Sequence, residues 1–101
     1  MIKETMQEAI NKQIVREMYS SNLYLAMAAY YHSMNLNGFA RWMRLQAQEE
    51  MDHALKFFDY LLDRGGMPKI GKIDATPTEW DSPQAGFEAA LAHEEKISGH
   101  I

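Results

Sequence analysis

At 101 residues, 47% hydrophobic and 24% charged, the chain has the composition of one small globular domain and not of a disordered polymer. A net charge of −4 argues against nucleic acid as the main partner, and the lack of cysteine excludes disulfide frameworks, thiolate zinc sites and iron–sulfur clusters. No segment approaches the ~18 apolar residues of a bilayer span, and the first residues carry no apolar run of a secretory signal. The expected setting is soluble and cytoplasmic, without a membrane partner.

The first predicted element is a helix over about residues 3–34, free of Pro and Gly. Its stripe is Met6, Ile10, Gln13/Ile14, Glu17, Ser21, Tyr24, Ala28 and Tyr31, in alternating steps of three and four. Asn35, Leu36, Asn37 and Gly38 break that pattern with turn residues. A second helix is expected over about 39–64, stopped by Gly65 and Gly66 with Pro68 beyond. Its expected inward stripe is Phe39, Trp42/Met43, Gln46, Glu50, His53, Phe57 and Tyr60/Leu61.

Residues 67–81 contain Pro68, Gly71 and Pro77 and have no helical period. Fifteen extended residues reach ~50 Å, more than the ~39 Å of the second helix. This connector is therefore expected to be a crossover that sets the third helix parallel to the second. Ser82 and Pro83 start that helix as N-cap and N1. It is expected over 83–101 with Phe87, Ala90/Leu91, Glu94, Ile97 and Ile101 on one stripe. The apolar pattern is still running at Ile101, as in a helix cut in mid-course.

Each stripe carries a carboxylate near its middle: Glu17, then Glu50 with His53, then Glu94. A buried carboxylate without a partner costs several kcal/mol, on the order of the whole stability of a small domain. Lys and Arg are missing from the three inward stripes, so a metal ion is the leading candidate for the compensating charge. One Glu-x-x-His pair alone reads as a surface polar pair; three inward carboxylates plus the imidazole read as a metal site. Oxygen-rich ligation with one imidazole suits Fe(II) or Mn(II) better than structural zinc. A bridging Glu50 would allow two metals to lie close together.

Tyr24 is either core with a satisfied hydroxyl or a contact to a metal-bound carboxylate. Glu49 and Asp52 read as solvated, with Glu49 able to serve an outlying cation. His32, His93 and His100 read as ordinary polar positions. Met51 raises haem, but one Met at helical spacing is core packing, and a haem-free site is expected.

Gln13, Glu17, Tyr19, Ser20, Ser21 and Tyr24, then Ala47 through Met51 with His53 and Ala54, then His93, Glu94 and Glu95, closely resemble the bacterial non-haem ferritins. The resemblance covers the whole chain but only the first three-fifths of a ferritin. It implies an all-α, ferritin-like four-helix bundle with a long crossover between its second and third helices, represented here by a single incomplete domain over 1–101. It also implies a hollow cage of twenty-four chains that stores iron without haem; the uncovered inner stripes leave open completion by a second chain, pairing of two copies, or a cut or engineered sequence.

At matching positions the resemblance implies a ferroxidase, with Fe(II) and O₂ as its partners and iron oxidised at a di-iron centre. Glu17 and His53 would hold the first iron, Glu50 would bridge, and Glu94 would bind the second. Tyr24 would lie beside the centre and Glu49 would serve a third iron. Fe(III) would then mineralise inside the cage. The alternative from another class is a catalytically incomplete fragment acting as an assembly unit.

Overall fold

The computed structural model describes residues 2–98. They form α1 (Glu4–Ser33), α2 (Asn37–Asp63) and α3 (Pro83–Ser98), with no strand among the described residues. The expected continuation of α3 to Ile101 lies outside them. Together the helices make a rod of 50 × 20 × 20 Å.

The turn after α1 is shorter than its composition suggests, and α2 starts at Asn37, not at Phe39. Asn35 takes the left-handed conformation (φ 61°), which Asn tolerates better than most residues. That kink lets the Leu36 amide donate to the Tyr31 carbonyl (2.9 Å) and the Asn35 amide to that of His32 (3.0 Å), a Schellman closure. Leu36 packs against the cluster that holds Tyr31. Gly38 therefore falls inside the first turn of α2, where its amide needs no helical partner. The same closure ends α2, where Gly65 (φ 76°) and Gly66 donate to Leu62 and Leu61. At α3 the Ser82 hydroxyl accepts from the Ala85 amide (3.1 Å), the expected N-cap.

Cross-contacts give the directions. Ser21 Oγ donates to the Ala47 carbonyl (2.7 Å), and Glu17 meets His53, so α1 and α2 are antiparallel. Tyr31 reaches Pro83 whereas Ser20 reaches His93, so α1 and α3 are antiparallel too. The second and third helices thus run parallel, and their first turns meet where Phe39 and Trp42 pack on Phe87. Residues 64–82 follow α1 from end to end. The Arg64 carbonyl accepts from Ile2, Met67 and Lys69 are held by Gln7 and Asn11, and Trp80 packs on Tyr30.

The buried faces differ from the expected stripes by a rotation. On α2 the buried residues are Met43, Ala47, Glu50, Ala54 and Leu61, in steps of four, three, four and seven. This seam faces α1. Phe39, Trp42 and Tyr60, expected inside, are 44%, 49% and 40% exposed. A three-residue step leaves a side chain about 60° away around the helix. Mixing such neighbours with the seam residues pulled the expected stripe to one side. On α3 the same shift holds: Gly86 and Ala90 are buried, whereas Leu91 and Glu94 are exposed. Met6 of α1 is exposed as well.

One apolar cluster gathers Leu23, Tyr24, Met27, Ala28, Tyr31, Met43, Ala47 and Ala90. A second gathers Ile14, Ala54 and Leu61. Between them lies a layer of buried polar residues, Glu17, Ser20, Ser21 and Glu50. Such a layer costs desolvation and stays folded only if its groups find partners.

Candidate metal centre

Glu17 of α1 and Glu50 of α2 enter this layer from opposite sides. Both are buried, at 6% and 8% exposure. The midpoint of Ser33 and Asn37, the helix ends flanking the turn, is residue 35, which is also the midpoint of Glu17 and His53. The early start of α2 thereby brings these residues level in the antiparallel pair. His53 Nδ1 stands 3.6 Å from Glu17 Oε2 and 3.6 Å from Glu50 Oε2. Ligand atoms of the three residues all lie within 4.8 Å of one another, as one metal ion requires. His53 is not buried as expected, since its side chain is 49% exposed. It stands beside the seam and closes the carboxylate pair from the solvent side.

The charge balance of this layer is unfinished. Glu17 Oε1 accepts from Gln13 Nε2 (3.0 Å), but Glu17 Oε2 is buried with no hydrogen-bond partner. Among the described residues, no Lys or Arg forms an ion pair with either carboxylate. Burial foremost, then the neighbouring Glu17 carboxylate, pushes Glu50 up to about 8. Two buried carboxyl groups with no cation beside them form a site a divalent ion would complete. With oxygen donors, one imidazole and no sulfur, the donor set fits Fe(II).

Glu94 approaches from α3 but does not join the three-residue group. It is exposed and is tied to the layer through Tyr24, whose hydroxyl donates to Glu94 Oε1. Tyr24 is thus both core and a contact to a candidate ligand. Burial foremost, then the bond to Glu94, raises its pKa far above the ordinary tyrosine value. Glu49 is exposed and outside the group, although its charge adds to the upward push on Glu50.

His93 is more than an ordinary polar position. Its Nε2 lies 2.8 Å from Ser20 Oγ, and that hydroxyl donates to the Arg16 carbonyl (3.0 Å). A hydroxyl has one proton, so the imidazole tautomer decides which partner donates across the Ser20–His93 bond. This bond pins α3 one residue before Glu94. Burial holds the His93 imidazole below its ordinary pKa. A contact between residues 73 positions apart has no local signature, and sequence reading had no means to find it.

Residues 7–101 match the family model of the ferritin-like domain. The chain is 50% identical over 98 residues to a bacterial non-heme ferritin of Bacteroides fragilis, covering 97% of this chain and 62% of that protein. It is 38% identical over 101 residues to a bacterial non-heme ferritin of Escherichia coli O157:H7, covering the whole chain and 61% of the relative. Among solved structures, an open-pore ferritin of the archaeon Archaeoglobus fulgidus superposes with a TM-score of 0.95 at 48% identity, over 99% of this chain and 62% of that one. The chain thus spans about three-fifths of the length of the relatives it matches.

Proposed function

This chain belongs to the ferritin family, and from that premise we propose that it supplies the first half of a ferroxidase centre in an iron-storage protein. Fe(II) is the substrate and O₂ the electron acceptor. Glu17 and His53 hold one Fe(II), and Glu50 bridges to a second. Glu94, steadied by Tyr24, binds that second ion, and Glu49 serves an outlying third. Held close together, two Fe(II) ions supply two electrons to one O₂, which takes up two protons and leaves as hydrogen peroxide. The resulting Fe(III) is stored as mineral within a cytoplasmic cage of twenty-four chains.

The observation that carries this reading is the orphaned Glu17 Oε2, buried and 3.6 Å from His53 Nδ1, with Glu50 Oε2 at 3.6 Å from the same nitrogen. A buried acceptor without a donor costs about 1–3 kcal/mol, more when charged. A divalent ion removes that cost and neutralises both carboxylates at once. What the protein contributes is placement: ions delivered one at a time to fixed oxygens react as a pair and not by chance encounter.

Adding Fe(II) to the purified protein in air, with ferric absorbance followed by stopped flow, tests this. Glu50→Ala should slow oxidation at least ~10-fold, as loss of groups that hold or orient a metal does. Oxidation at the unaltered rate would rule the centre out.

A second reading is favoured by the exposure of Glu94 and half of His53: a structural unit that binds iron weakly. Segments matching the rest of the relatives' length, or a second chain, would cover these two residues. An intact native mass separates a chain that stands alone from one that pairs or joins another polypeptide.

A further inference from the structure

Gln13 lies one helical turn before Glu17 and is half-buried beside it. Its Nε2 donates to Glu17 Oε1 at 3.0 Å, while its Oε1 accepts from Arg16 Nη1 at 3.4 Å. A guanidinium can only donate and a carboxylate oxygen can only accept, so the two partners together fix which way the amide faces. The remaining oxygen, Glu17 Oε2, is the buried one with no partner, 3.6 Å from His53 Nδ1.

We propose that Gln13 is a positioning residue for the metal centre: its amide holds Glu17 Oε1 and thereby turns Oε2 toward His53 and Glu50 to receive a divalent cation. This rests on the ferroxidase reading above and adds a residue to it. A free glutamate samples three torsions, and a site whose ligand is already oriented loses less freedom when the ion arrives. The donor is also a neutral one. A Lys at position 13 would neutralise Glu17 and compete with the ion, whereas an amide orients the carboxylate and leaves its charge available. Arg16, exposed at the far end of the chain of bonds, holds the amide in turn.

An ordinary helical Gln–Glu pair would affect only helix stability, so the test reads metal binding and folding separately. Purified protein is titrated with Co(II) without oxygen, by calorimetry and by the visible absorption of the bound ion. Unaltered protein is compared with Gln13→Leu, Gln13→Met and Glu17→Ala, and metal-free melting is followed by circular dichroism. Both Gln13 variants should weaken the first Co(II) at least ~10-fold and alter its absorption bands, at an unchanged melting temperature. If Gln13→Leu does not fold, Gln13→Met decides. Unaltered affinity and bands in the Gln13 variants, with binding lost in Glu17→Ala, would overturn the positioning role alone. Unaltered binding in Glu17→Ala would overturn the ferroxidase reading and this inference with it.

Discussion

Burial foremost, then the charges of Glu17, Glu94 and Glu49, raises the Glu50 carboxyl to about 8. A divalent ion must displace the proton that the raised pKa helps Glu50 keep, so binding of Zn(II) or Co(II) should release protons and tighten as pH rises. Calorimetry in two buffers of different ionisation enthalpy measures the release; the same heat in both would contradict it. The group also makes metal-free stability depend on pH. Its folded pKa lies above the ordinary value of 4.5, so the folded state holds more protons between the two values. Its contribution is full below about 4.5 and is lost as pH rises through about 8. His93 acts oppositely. Its folded pKa is depressed by burial, so it disfavours the fold as pH falls below the ordinary histidine range. Comparison with Glu50→Gln isolates the first effect: melting temperature should fall more steeply with rising pH in the unaltered protein. Equal slopes would show that Glu50 is not held protonated.

At the scale of elements, the contact between the end of α1 and the start of α3 depends on a missing side chain. A Cβ on Gly86 would stand 2.6 Å from Tyr31 Oη, whose hydroxyl donates to the Pro83 carbonyl at 2.7 Å. Gly86→Ala should therefore destabilise the fold by about 1–3 kcal/mol, the usual cost of overpacking. In a Tyr31→Phe background the nearest ring atom would be 3.3 Å away, so the penalty should shrink. A thermal double-mutant cycle measures that coupling, and simple additivity would contradict the contact. Asn35 carries the left-handed turn before α2; Asn35→Ala should cost roughly 1 kcal/mol, and Asn35→Gly should cost less.

The three helices were legible because Gly65, Gly66, Ser82 and Pro83 act through local backbone chemistry. The start of α2 was not, since Asn37 and Gly38 have turn composition and are helical only because the Asn35 kink uses up the turn. The seam was misjudged for a related reason. Phe39, Trp42 and Leu91 are large and apolar, yet burial in the seam follows which residues face α1, and Gly86, Ala47 and Ala54 are the small residues that fit there.

Over the whole molecule, one long connector decides where the ligands stand. By following α1 from Ile2 to Tyr30 it returns the chain to the end where α2 began, and it makes α2 and α3 parallel neighbours of one antiparallel helix. The polar layer then falls between two apolar clusters, with Glu17 and Glu50 inside it and exposed Glu94 tied to it through Tyr24. The helix directions were legible from the connector's reach, and the meeting of Glu17 with Glu50 from the carboxylates in the first two stripes. The exposure of His53, the Tyr24–Glu94 bond and the Ser20–His93 bond were not, because they depend on helix rotation and on contacts across about 70 residues. Among the described residues no helix is long and apolar enough to cross a membrane. Calorimetric titration of the purified protein with Fe(II) under nitrogen tests the metal centre most directly. A saturable site of at least one ion per chain, lost in Glu17→Ala, is the expected result; no saturable binding, or binding indifferent to Glu17, would contradict it.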